Sequence, residues 1–215
     1  GVGELLAGPA CRKKALETPI DHRKDYYFQA ITSFAKLLEV KGSDVGEPPN
    51  FESEIYDRIA ILQMAALASI EGVDVAGEDG VLDFVLSRER RAWARLLDER
   101  DLPRHLLIAV GRSMCVISLI GGVDSEADAI EVVRDLKIFD QESGGVVRSV
   151  LGLLRDCYGG SGPGSKWIEP LMPDLLAEHL IERELESGAD EVLDLVLGSP
   201  DPHDRLDSTT RSEEP

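Results

Sequence analysis

Residues 59–70, Ile-Ala-Ile-Leu-Gln-Met-Ala-Ala-Leu-Ala-Ser-Ile, leave almost no polar face at any turn of a helix. Such a helix has to be covered on nearly every side, so it predicts a central, deeply buried element with other helices around it. Asn50 or Ser53 is the candidate cap at its start, giving one helix from the low fifties to Ile70.

The covering helices are readable from their stripes. Residues 25–39 carry Tyr27, Ile31, Phe34 and Leu38 at steps of three and four, with Asp21 as a candidate cap. Residues 81–97 carry Leu82, Val85, Leu86, Trp93 and Leu96. Pro103 suits the first turn of a helix over 103–120, which Gly121-Gly122 stops. Asp124 or Ser125 caps a helix over 126–138, with Ser125 and Asp128 spaced as in a capping box. A sixth helix covers 145–158. The glycine-rich loop 159–164 leads to a short strand at 167–171, then Pro173 opens a helix to Glu186. Ser187-Gly188 breaks the chain, a short helix is expected over 190–197, and 199–215 is an acidic tail too polar to fold. With no repeat and no series of strands, the class is mainly α, with at most a β-hairpin. Residues 103–186 read in the order of a helix-turn-helix domain with a β-wing.

Four segments are expected: an entry segment 1–24, a helical bundle 25–98, a winged-helix domain 99–187, and a short helix with a disordered tail 188–215. The charged run Asp98-Glu99-Arg100-Asp101 has nothing to bury and marks the boundary, at 97–103. The chain of 215 residues, 43% hydrophobic, is long enough for these cores. Cys11, Cys115 and Cys157 are odd in number and widely spaced, which fits a reducing compartment better than a disulfide framework. No apolar run reaches the roughly 18 residues of a membrane span, and the first ten residues do not read as a signal peptide. The expected location is the cytoplasm. A net charge of −18 would repel nucleic-acid phosphates unless one face gathers the cations.

Catalytic motifs are missing. In Gly159-Gly160-Ser161-Gly162-Pro163-Gly164-Ser165-Lys166 the lysine does not follow the last glycine directly, and Trp167 stands where a magnesium-holding hydroxyl would be needed. Pro163 also lacks an N–H for phosphate. His22, His105, His179 and His203 form no metal-binding pair. Glu89 falls on the apolar stripe of its helix, flanked by Arg88, Arg90 and Arg91. It reads either as a buried carboxylate latching two elements through an arginine or as a partly exposed ion pair at the helix rim.

Three stretches carry a resemblance. They are Asp25-Tyr26-Tyr27-Phe28-Gln29-Ala30 through Leu38; Tyr56-x-Arg58 through Ala68, followed by Arg88-Glu89-Arg90-Arg91-x-Trp93; and Trp167-Ile168-x-Pro170-Leu171-x-Pro173-Asp174-Leu175-Leu176-Ala177-Glu178-His179-Leu180. In this order they resemble the helical lid and winged helix that follow the nucleotide-binding core in bacterial STAND signal-transduction ATPases, which are NACHT-like and AAA+-related. The resemblance implies a helical lid bundle followed by a winged-helix domain with a short β-wing. It implies the non-catalytic, regulatory part of a nucleotide-dependent switch, with no cofactor of its own and ATP or ADP held by a core upstream of Gly1. The chain would then be an ATPase fragment and not itself an enzyme. Its partners would be that nucleotide-binding domain of the same longer polypeptide, and further copies or signalling proteins, with no membrane. Arg58, Ile59 and Gln63 would face the nucleotide; related lids usually have proline where Ile59 stands. Glu89, Arg90 and Arg91 would form an interdomain latch. A winged-helix DNA-binding regulator and a stand-alone helical interaction module are the alternatives.

Overall fold

The computed structural model describes residues 20–40, 48–188 and 192. These are mainly helical. In order they form α1 (Ile20–Leu37), a 3-10 turn (Glu54–Asp57), α2 (Ile59–Ile70), α3 (Gly77–Glu99), α4 (Leu106–Leu119), α5 (Glu126–Val133), a second 3-10 turn (Lys137–Phe139), α6 (Gly144–Tyr158) and α7 (Asp174–Glu186). The expected helix over 190–197 lies outside the described residues apart from Val192, which is buried. No helix among them is long and apolar enough to cross a membrane. The described residues divide into two compact units, one ending at Glu89 and the other beginning at Arg90.

In the first unit α1 packs along α2. Tyr27, Ala30 and Phe34 are the buried stripe of α1, and the Tyr27 hydroxyl donates to Ser69 Oγ at 2.7 Å. All of α2 from Ile61 is buried except Gln63, as an apolar circumference demands. The predicted helix from the low fifties is broken, however. Arg58 is extended, at φ −93° and ψ 119°, and divides a 3-10 turn from α2. The break lets Tyr56 turn inward to 3% exposure. Arg23, itself buried, holds the preceding loop by donating to Phe51 O at 2.9 Å and Ser53 O at 3.0 Å, and pairs with Asp57.

The second unit is built on α4, against which α5, α6 and α7 pack. Leu97, one step beyond the expected Leu96, is the fully buried partner of Trp93 on α3. Pro103 sits before α4 rather than in it, its carbonyl accepting from Leu106 N–H at 3.0 Å. At the other end Gly121 and Gly122 adopt φ of +76° and +91°. At Gly122 no side chain would fit, since a Cβ would stand 2.8 Å from Ile168 O.

Two expectations for this unit are corrected. The helix predicted over 126–138 stops at Val133, because Leu136 turns to ψ 120° and drops fully into the core. The strand predicted at 167–171 does not form, and no strand occurs among the described residues. What forms is one antiparallel bridge, Val123 with Ile168. Val123 N–H donates to Ile168 O at 3.0 Å, while Trp167 N–H and Ile168 N–H return to Val123 O at 2.7 and 3.2 Å. Beyond it the ladder has no donors left: Glu169 N–H goes to Tyr158 O, Pro170 has none, and Leu171 N–H goes to Ser118 Oγ.

Candidate functional site

The second unit holds a polar cluster inside its core. Trp93 on α3 is fully buried and its indole N–H donates to the Tyr158 hydroxyl, at the end of α6, at 2.8 Å. One turn earlier on α3, Arg90 reaches Glu184 on α7, Nη2 to Oε1, at 3.0 Å. The two partners differ in exposure: the Arg90 side chain is 43% exposed, that of Glu184 only 8%. The carboxylate is thus the desolvated member and depends on the guanidinium for compensation. Space for it comes from Gly111 in the middle of α4, where a Cβ would stand 2.9 Å from Glu184 Oε1. The nearby Cys115 thiol is pushed up to about 12, by burial and then by the Glu184 charge. It is held as a neutral thiol, without the thiolate that nucleophilic chemistry needs.

The residues expected to form a latch lie on either side of the division between the two units. Glu89, the last residue of the first unit, is buried at 1% exposure, so it is no rim residue. Arg90 is committed to Glu184 within the second unit, and Arg91 is exposed. Glu184 is not among the residues expected from the sequence, although its signal is present there. Leu176, Leu180 and Glu184 recur every four residues, placing a carboxylate on an apolar stripe just as at Glu89. Gly111 could be noticed only as a glycine inside an apolar helix.

Of the expected nucleotide-facing residues, Arg58 is half-exposed and paired with Glu78 at 2.7 Å. Ile59 and Gln63 are both partly exposed in the first half of α2. The three share the start of one helix. Among the described residues no group of three or more His, Cys, Asp or Glu converges to hold a metal. His105 pairs with Glu142 at 3.0 Å on the surface, while His179 is buried and lies 3.9 Å from Glu182.

The outer side of α6 offers few cations, and those are engaged at home. Arg148 lies 3.6 Å from Glu126, and the Arg155 guanidinium stands 5.3 Å from the centre of the Trp167 ring, a cation–π distance. Asp156 is paired with Arg100, which also donates to Ser149 O at 3.3 Å. Compared with family models, curated proteins and solved structures, the chain matches none of them.

Proposed function

We propose that the two helical modules, expected from the sequence at 25–98 and 99–187 and divided in the structure between Glu89 and Arg90, are the lid-like bundle and the winged-helix-type module of a nucleotide-dependent signalling switch, regulatory and non-catalytic in themselves. The observation that carries this reading is the antiparallel pairing of Val123 with Ile168. It brackets α5 and α6 and follows α4, giving helix, paired residue, helix, helix, turn, paired residue, helix. We take that order as support for a winged-helix-type module whose wing is reduced to a single pair. The nucleotide would be ATP or ADP, bound by a core upstream, and its exchange would shift the population of packed and opened arrangements. Arg58, Ile59 and Gln63 are the residues proposed to face it, and Glu89, Arg90 and Arg91 those proposed to couple to it. The DNA-binding alternative is disfavoured by the small number of cations on α6, Arg148 and Arg155, together with the overall charge of −18.

The test is a polypeptide extended upstream of Gly1. It should contain a GxxxxGK[ST] loop after a strand, and replacing ADP by a non-hydrolysable ATP analogue should change the rate of protease cutting at 97–103. An upstream sequence without that loop, or cutting indifferent to nucleotide, overturns the reading.

A further inference from the structure

α7 is an unusual element to close a core. Its buried residues are Leu176, Ala177, His179, Leu180 and Glu184, so two of the five are ionisable. Its outer edge carries Asp174, Glu178, Glu182 and Glu186, four residues apart and all exposed. Like charges at that spacing weaken a helix standing alone, and the exposed Arg183–Glu186 pair at 2.8 Å offsets them only in the last turn. Breaks flank it on both sides: an extended Pro173 precedes it, and Gly188 follows at φ +86°. Helicity and position in α7 therefore depend on docking to α4, and the docked face contains a desolvated carboxylate whose compensation reaches it from 94 residues away. A pair with one buried member holds less firmly than apolar contacts of the same volume, yet losing the half-exposed Arg90 leaves the Glu184 carboxylate uncompensated in the core. That combination suits a closure with two defined states better than it suits maximal stability.

We infer that α7 is a detachable clasp. It opens as one piece from α4 when the Arg90–Glu184 pair is broken, while α4, α5 and α6 stay folded. The clasp stands on the second unit alone and does not require the nucleotide reading to be true.

Amide hydrogen exchange on the full chain tests it. In the unaltered protein, amides of 176–186 should exchange at least tenfold faster than those of 109–117 and 147–154, as a sub-global opening does. Arg90→Met, which strands the carboxylate, should speed exchange in 176–186 at least tenfold more and leave 147–154 unchanged. Gly111→Ala should speed exchange in 176–186 as well, by less than Arg90→Met because the atom it displaces is the far end of the Glu184 side chain, while α4 keeps its protection because alanine is the better helix former. The double variant Arg90→Leu with Glu184→Leu should slow α7 toward the rate of α6. Equal protection of α7, α4 and α6 in the unaltered protein overturns the clasp. So does loss of protection in all helices together, or failure to fold, in both Arg90→Met and Gly111→Ala.

Discussion

At the residue scale, the second unit's chemistry is one of suppressed charge. Cys115 is raised from an ordinary 9.0 to about 12 by burial and by Glu184, and in the first unit Tyr27 and Tyr56 are raised above 10.0 chiefly by burial. The sign of the linkage follows. Above pH 9 the unfolded Cys115 loses its proton while the folded one keeps it, so the unfolded state gains. Stability that is full below pH 9 should fall between pH 9 and about 12, at up to ~1.4 kcal/mol per pH unit for each group, the tyrosines joining above 10. Urea midpoints measured from pH 8 to 11 should show this decline, and Cys115→Ala should flatten its first part; a level profile contradicts the assignment. Of these residues the sequence made Trp93 and Glu89 conspicuous, because each sits on a visible stripe. Glu184 and Gly111 were hidden, since a pair joined across 94 positions leaves no local pattern.

At the scale of elements, the helices were legible where apolar period and turn chemistry agree. Ser125 caps α5 as its spacing with Asp128 suggests, the hydroxyl accepting from Asp128 N–H at 3.2 Å. Ser125→Ala should cost about 1 kcal/mol in chemical denaturation, and Ser125→Asp should restore most of it. An unchanged midpoint in the alanine variant would show that the cap contributes nothing. Element ends were not legible where tertiary contacts decide them. Nothing in the sequence near Arg58 or Leu136 breaks a helix. Both breaks serve to bury a neighbouring or resident side chain, Tyr56 in one case and Leu136 in the other. The wing departs from expectation for a related reason: Trp167 and Ile168 favour extended backbone, but the partner needed for a ladder is one residue long.

At the scale of the whole molecule, charge is the property that most restricts partners. With a net −18 and with few cations on α6, Arg148 and Arg155, duplex DNA should not be retained even at about 50 mM salt, where phosphate contacts are strongest. Tight retention that weakens steeply with added salt would restore the DNA-binding alternative. Mainly helical architecture was the part of the whole most plainly written in the composition of the stripes, whereas the division between Glu89 and Arg90, inside a continuous helix, has no compositional mark. The segment following the α6 loop carries a last consequence. From Lys166 to Leu171 every backbone donor is spent: Lys166 on Glu169 Oε1, Trp167 and Ile168 on Val123, Glu169 on Tyr158, Leu171 on Ser118, with Pro170 having none to give. An extended segment with open amides is a template on which a foreign chain can add itself as a strand. This one has spent its donors within the molecule, so it offers no free amide for a strand to add to, and a protein that recognises this part of the molecule has its side chains and carbonyls to read.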